Sequence, residues 1–510
     1  MRLQASDLTY LGPELTLIIA AVLISLIDLL MPGRMSRKWL GWLTLGALFV
    51  SGIFTVMSIL SLGGNEPKEA IILLGQSYRI DDFAHLFKLL FLSGTVLIVL
   101  MSMGSIRQEG IRHEGEYYYL YLPAVLGAFV MASSGDLITL FVGLELLSIT
   151  SYILVAMKKS DKRSNEAAFK YVVMGGIASA FILYGMSFLY GMTGSTSLAE
   201  LSVHLQKLDE SFHAMIYLSF FLMLAGFGVK IAAAPFHAWS PDVYQGAPTP
   251  VTAFLAVISK GAAFAMLFRI VYNAYLGVGY RGVEEPMISD DLFLSLLILA
   301  AVAMIVGNTM ALRQHNSKRL MAYSGIANAG YLLVPLAVQF QGLHYSGVSE
   351  LIYYLVAYGL MNIGMLAVIM LMSQSVGHGE LRGFSGLYYR APWTAVATLV
   401  LILSLAGLPI TAGFFGKLYI LLGALHTKTY WLAVIMIVTS VISYFYYFGI
   451  ARQMFMRSNS ERQDVARNGY LQTVIWFCAA ATVLLGLFPQ WIIGWISDIF
   501  QLSFDFFTNR

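Results

Sequence analysis

Cysteine occurs once, at Cys478, in a chain of 510 residues. A lone thiol excludes disulfides, iron–sulfur clusters and cysteine-rich zinc sites within this chain. Cys478 reads as a small apolar residue of the last helix. Charge is scarce too: 12% of the residues are charged against 58% hydrophobic, and the net charge is +3. Soluble domains carry about a quarter charged residues. There is no long linker, low-complexity tract or soluble domain, and the charge balance does not suggest nucleic acid. Cofactor signatures are missing as well. "GVGYRG" (277–282) matches a dinucleotide-binding glycine pattern, but no strand precedes it, so it reads as a loop. Most of the nine histidines, including His344, fall in loops or at helix ends, without the facing pairs of a transmembrane haem. No nucleophile motif or metal-ligand cluster appears. The first apolar run carries Glu14 and Asp28 and no Ala-x-Ala site follows, which argues against a cleaved signal.

What is present is a succession of apolar runs of about 20 residues, the length of a membrane span. Fourteen are expected: 12–31, 39–62, 83–103, 117–134, 136–157, 167–190, 212–233, 249–276, 290–312, 319–339, 347–373, 393–422, 429–451 and 470–497. The fold class is all-α, a polytopic membrane protein. Charge placement supports the number. With the first loop placed inside the cell, eighteen of the 31 lysines and arginines fall in inner loops, Arg34, Lys159 and Arg467 among them. Seven lie opposite: Arg2, Lys68, Arg79, Lys207, Arg281, Lys428 and Arg510. That bias follows the positive-inside rule and places both termini outside.

Six basic residues remain within the spans: Lys88, Lys170, Lys230, Lys260, Arg269 and Lys417. Glu145 joins them in "FVGLELLSITSY". Such a charge costs on the order of 3 kcal/mol at the centre of a span, so it marks a functional candidate. Glu145, Lys230, Lys260 and Lys417 are central. Lys170 lies about one turn inside its helix and is counted with them as an expected proton carrier. Lys88 and Arg269 lie toward helix ends, where a long side chain can snorkel to the interface.

Two of these lysines adjoin helix-breaking residues. Pro235 follows Lys230, while Gly407, Pro409, Gly413 and Gly416 precede Lys417. Broken backbone survives at membrane depth only inside protein or beside water. Broken helices in matching halves of a chain mark internally repeated transporters, with the working site at the breaks. The broken helices are the seventh and twelfth, so two five-helix repeats, helices 4–8 and 9–13, put them in equivalent places. An odd repeat length implies inversion. Burial disfavours a charged lysine and a nearby carboxylate restores it, so Glu145 is the expected partner of Lys230. Lys260 and Lys417 extend a row of proton carriers, joined by water and by His237 or tyrosines such as Tyr323.

At these residues the chain resembles a known family. "KIAAAPFHAWSPDVYQGAPTPVTAFLAVISK" is similar to the central motif of the antiporter-like subunits of respiratory complex I, which also occurs in Mrp-type sodium/proton antiporters. "VGLELLSITSYIL", "RQHNSKRLMAYSGIANAGYLL" and "LSLAGLPITAGFFGKLYIL" fit the same family, in consistent order from about residue 117 to 451. The family's seventh-, eighth- and twelfth-helix lysines fall at Lys230, Lys260 and Lys417, and its fifth-helix glutamate at Glu145. The likeness is greatest to the smallest of the three antiporter-like subunits: a second typically has glutamate at the twelfth-helix position, and the largest has a long C-terminal lateral helix. In "SGIANAGYLL", Asn328 stands where the family often has histidine. Asparagine orients water but does not carry the proton.

The resemblance implies a proton-translocating subunit of a bacterial plasma-membrane NADH:quinone oxidoreductase. It would have no cofactor of its own; NADH, FMN, iron–sulfur clusters and quinone are expected on other subunits. Its partners would be other membrane subunits, further antiporter-like ones included, with lipid, protons and water. A Mrp-type cation/proton antiporter and a membrane-bound hydrogenase remain alternatives. The expected division is an N-terminal three-helix segment (1–116), a first repeat (117–276), a second repeat (290–451) and a C-terminal helix (452–510).

Overall fold

The computed structural model describes residues 5–32, 35–62, 70–275, 278, 288–338, 347–456, 465 and 468–502. Outside them lie "GVGYRG" apart from Val278, His344, and the basic residues Arg2, Arg34, Lys68, Arg281, Arg457, Arg462, Arg467 and Arg510. Among the described residues twelve helices are long and apolar enough to cross a membrane. We number the helices used below in chain order: α1 Gly12–Leu30, α2 Lys38–Leu62, α3 Asp82–Ser102, α4 Tyr121–Ser133, α5 Leu137–Val155, α6 Lys162–Thr193, α7 His213–Lys230, α8 Thr249–Tyr275, α9 Ile288–Ala311, α10 Ser317–Ala337, α11 Gly347–Val376, α12 Pro392–Ala406, α13 Ala412–His426, α14 Tyr430–Met456, α15 Gly469–Leu487 and α16 Pro489–Leu502. The short halves α12 and α13 make up the expected twelfth span, and α4 with the helix Glu114–Tyr119 before it the fourth. The total is about fourteen.

Two details depart from expectation. The last run is two helices, because Pro489 cannot donate to the preceding turn and α15 ends at Leu487. The connection from α2 to α3 includes a small antiparallel hairpin, β1 Ile71–Leu73 with β2 Tyr78–Ile80.

Matching hydrogen bonds recur on the two halves of the chain. Before α5, Leu137 N–H donates to Thr196 O and Leu198 N–H donates to Gly135 O, both at 2.9 Å. Before α10, Ser317 N–H donates to Gly379 O and Leu381 N–H to His315 O, again at 2.9 Å. Each half therefore ties the start of its second helix to the residues following its third. Side chains at the same point cap both helices, Asp136 on α5 and Asn316 on α10. The leading helix pairs also pack through glycine. A Cβ on Gly127 of α4 would meet the backbone of Gly143 and Leu147, and one on Gly307 of α9 would meet the backbone of Ala327. Small residues let helix axes approach where no hydrophobic force between helices operates.

Buried ion pairs join distant segments. The Arg269 guanidinium of α8 holds Asp81 at 2.8 and 2.9 Å and donates to Ala132 O at 2.6 Å. Lys88 Nζ of α3 lies 2.6 Å from Glu14 of α1. The snorkelling expected of Lys88 and Arg269 does not occur. Their side chains are 1% and 2% exposed, because each finds a carboxylate inside the bundle. At the other end of the bundle Glu109 accepts from Lys158 Nζ at 2.7 Å and from Thr249 N–H at 3.3 Å. Burial alone would raise its carboxyl, but Lys318 and Lys158 outweigh burial and hold it at about 2.

Two outcomes follow. Arg269→Ala leaves buried Asp81 with Arg79 at 3.2 Å as its remaining ion-pair partner, which should cost up to about 3–5 kcal/mol, measured as thermal stability in detergent; an unchanged midpoint would contradict the clamp. Glu109 has a depressed folded value, so its contribution is complete above its ordinary value of 4.5 and is lost as pH falls toward about 2. That is worth on the order of 3 kcal/mol. Stability of Glu109→Gln should accordingly fall less than the parent's between pH 5 and 2.

Candidate functional site

The seventh span is interrupted. Helix α7 ends on Lys230, residues 231–239 leave the helical path, and helix resumes at Ser240–Gly246. Pro235 lies in the gap. Its ring position has no N–H to continue the ladder, and Ala232 takes φ +56°. The Trp239 indole N–H donates to the Val229 carbonyl at 2.9 Å, which also accepts from the Ala232 N–H at 3.1 Å. Lys230 thus sits in the last turn of a half-helix, where the negative end of the helix dipole favours a cation.

Lys230 Nζ donates to Ser148 Oγ at 2.8 Å. The expected direct pair with Glu145 is not formed; Ser148, almost one turn further along α5, takes its place. Glu145 Oε1 is buried and, among the described residues, has no hydrogen-bond partner. A cavity of about 10 Å³ beside Lys230 is lined by Ser148, Tyr171, Trp239 and Ser259. That is near the smallest space that holds one water.

Lys260 is 3% exposed and follows a π-type turn over Leu255–Ser259. Its Nζ donates to Gly325 O of α10 at 2.6 Å and lies 5.6 Å from the Tyr358 ring centre. A Cβ on Gly325 would come 3.3 Å from that Nζ, so the glycine keeps the carbonyl within reach.

Lys417 belongs to the second break. Helix α12 stops at Gly407, whose φ of +83° turns the chain, and Pro409 follows before α13 begins. From α13 the ammonium reaches back to Leu405 O at 3.1 Å and Ala406 O at 3.3 Å. It lies 5.1 Å from the Tyr331 ring centre. Gly413 and Gly416 are inside α13 rather than in the break. Gly413 N–H donates to Ser404 Oγ at 3.0 Å, and Gly416 packs against the Tyr354 ring.

Helix α10 links the lysines of the two halves and is buried along its whole span. Beside Gly325, Ser324 Oγ meets the Tyr447 hydroxyl at 2.5 Å. The Asn328 amide donates to Ser324 O at 2.8 Å and its oxygen accepts from the Tyr354 hydroxyl at 2.5 Å. Asn328 is thus fixed at both ends. His237 lies in the helix-7 gap with its ring 6.3 Å from that of Tyr323 on α10.

Lys170 stands apart. Its Nζ lies 2.7 Å from Glu166 and 2.6 Å from Asp242, which Arg319 also binds, and its side chain is 39% exposed. Ser148, Ser324, Tyr354, Tyr358 and Glu350 were not singled out from sequence. Tyr354 and Tyr358 share a helix face by their four-residue spacing, a signal that was available. Glu350 lies so close to the start of its span that it reads as an end residue.

Residues 134–443 match the family described as NADH:quinone oxidoreductase/Mrp antiporter, transmembrane. The chain is 53% identical to the NADH-quinone oxidoreductase subunit N of Paenibacillus sp. strain JDR-2, over 99% of this chain and 98% of the relative. A chain of respiratory complex I from Thermus thermophilus with bound aureothin superposes with TM-score 0.77 at 31% identity, covering 94% of this chain and 98% of that one. A chain of the Mrp complex from Dietzia sp. shares the fold, at TM-score 0.81 and 18% identity, over 98% and 97%.

The second break is directly testable. In Gly407→Ala the left-handed backbone should cost on the order of 1–2 kcal/mol, and the new methyl would stand 3.0 Å from Lys417 Cδ. A lower thermal midpoint in detergent is expected; parent-like stability would mean that the turn carries no strain for a side chain.

Proposed function

The chain belongs to the NADH:quinone oxidoreductase/Mrp antiporter transmembrane family, in its subunit N group, and from that premise we propose how it moves protons. It is a membrane proton-translocating subunit of NADH:quinone oxidoreductase, assembled with the other subunits of that complex. Its route runs from Glu145 through Lys230 and Lys260 to Lys417. The observation that carries this reading is the kind of oxygen each lysine meets. All three ammonium groups donate to a hydroxyl or to backbone carbonyls, and none of them forms an ion pair among the described residues. A lysine so held can give up its proton without leaving an unpaired carboxylate in the membrane, which is the costly outcome for a buried pair.

Glu145, whose Oε1 is free to accept, receives the proton first. Ser148 and water in the small cavity hand it to Lys230, and Ser259 lines the way toward Lys260. From Lys260 the hydroxyls along α10 and α11, with water held by Asn328, lead to Lys417. His237 and Tyr323 orient water at the helix-7 gap. Lys170 is bound by two carboxylates that favour its charge, so it holds the second half of helix 7 rather than carrying protons. NADH, FMN, iron–sulfur clusters and quinone are bound by partner subunits. The chain lies in the bacterial plasma membrane with both termini outside, and its two five-helix units span 117–276 and 290–451. Exposed Leu29, Leu30, Phe49 and Leu60 on α1 and α2 give lipid or neighbouring membrane subunits an apolar face. Full-length identity of 53% to a subunit N, beside 18% to the Mrp chain, favours the oxidoreductase over the antiporter reading.

The test is the reconstituted complex, with proton uptake and NADH oxidation followed together. Lys230→Ala, Lys260→Ala and Lys417→Ala should each slow transfer through this subunit by on the order of 100-fold or more, with assembly retained. Lys170→Ala should change it little. Assembled lysine variants that pump like the parent would remove the relay.

A further inference from the structure

One buried carboxylate has no place in that route. Glu350, in the first turn of α11, is 4% exposed. Among the described residues neither a cation nor a hydrogen-bond donor pairs with it, unlike Glu14, Asp81 and Glu109, each of which is held by a lysine or arginine. A buried carboxylate left so is expensive unless it can take up a proton.

Its position is specific. Helices α11 and α13 run antiparallel in contact: Tyr354 packs on Gly416, the residue before Lys417, and Glu350 packs on Gly423. A Cβ on Gly423 would come 3.0 Å from Glu350 Oε2, so a glycine there leaves the carboxylate room against the α13 backbone. Gly423 is six residues beyond Lys417, or about 9 Å along the helix. Tyr353 and Tyr419 stand between the two levels, edge to face with ring centres 5.6 Å apart. Tyr272, near the end of α8, donates its hydroxyl to Leu336 O near the end of α10 at 3.3 Å, and Gly347 at the start of α11 packs on the Pro335 carbonyl of α10. Glu350 therefore lies where the ends of α8, α10, α11 and α13 meet, on the side of the membrane where α1 begins.

We propose that Glu350 is the proton-release group of this subunit, taking the proton from Lys417 and delivering it to the outer aqueous phase. This rests on the lysine route and outward orientation above. The Lys417 Nζ–H bond breaks, water carries the proton past Tyr419 and Tyr353, and an O–H bond forms on Glu350. Ionisation at the helix ends then frees the proton, leaving Lys417 neutral and Glu350 a carboxylate, both ready for the next cycle. No other reactant is required.

The experiment uses the whole complex in vesicles, comparing Glu350→Gln, Glu350→Asp and Lys417→Ala for outward proton release against quinone reduction. Glu350→Gln should slow release through this subunit by on the order of 100-fold, as Lys417→Ala does, while Glu350→Asp keeps most of it. If Lys417→Ala blocks release and Glu350→Gln does not, the exit assignment fails and the lysine route stands. If neither matters, the lysine route itself fails. Infrared difference spectra during turnover give a second readout that does not depend on the Gln variant assembling. A carboxyl C=O band that shifts in Glu350→Asp supports the proposal, and its absence from the parent overturns it.

Discussion

A buried ammonium must find oxygen, and where that oxygen comes from divides the charges of this protein into two kinds. Lys88 and Arg269 meet carboxylates, Glu14 and Asp81, at 2.6 and 2.8 Å. Opposite charges at that distance in a low-dielectric interior hold each other in place, so these pairs fasten α1 to α3 and α3 to α8. Lys230, Lys260 and Lys417 meet a hydroxyl or backbone carbonyls instead. A carbonyl dipole solvates an ammonium without fixing its protonation state. The bundle thus holds cations fixed by carboxylates and lysines that meet only uncharged oxygen.

The requirement for carbonyl oxygen also accounts for the second helix break. In an intact helix every interior carbonyl already accepts from four residues ahead. The stop at Gly407 frees Leu405 and Ala406 to face Lys417. At the gap after Lys230 the Val229 carbonyl accepts from the Ala232 N–H and from the Trp239 indole, so it is not offered to the lysine. Lys260 needs no full break: its partner is Gly325 of α10, reached because that residue lacks a side chain. Neither interruption is fully enclosed by the chain: Pro235 in the first and Pro409 and Ile410 in the second are exposed, while Ala232–Ala234 and Leu405–Ala406 beside them are buried.

Helix α10 shows how packing and chemistry depend on one another. It is buried along its length, so its polar atoms must be satisfied by neighbours. Ser324, Asn328 and Tyr331 meet Tyr447, Tyr354 and Thr439 from α14 and α11. The resulting string of hydroxyls and amide groups lies between Lys260 and Lys417. The first turn of α10 is tied down by Lys318 on Ala247 O and by Arg319 on Asp242. The second half of helix 7 is held by the same residues, so α10, together with α11 through Tyr358 on Lys260, joins the two halves of the chain.

Much of this was legible in the chain itself. Long apolar runs specify the spans because a helix must satisfy its own backbone in lipid, and Pro235 and Pro409 specify the breaks because proline has no N–H to offer. Glu145, Lys230, Lys260 and Lys417 stand out because a charge in the middle of an apolar run is costly wherever the helix packs. Pairing was not legible. Hydropathy and helical spacing report depth and face, but not which other helix lies opposite. Arg269 and Asp81 are 188 residues apart, and only folding brings them together. For that reason two cations that read as interfacial are buried, Ser148 rather than Glu145 receives Lys230, and Gly413 and Gly416 serve packing within α13. Sequence determined where the membrane is crossed and where the helices fail; tertiary structure alone decided which oxygen each buried charge would meet, because that choice is made between helices and not along them.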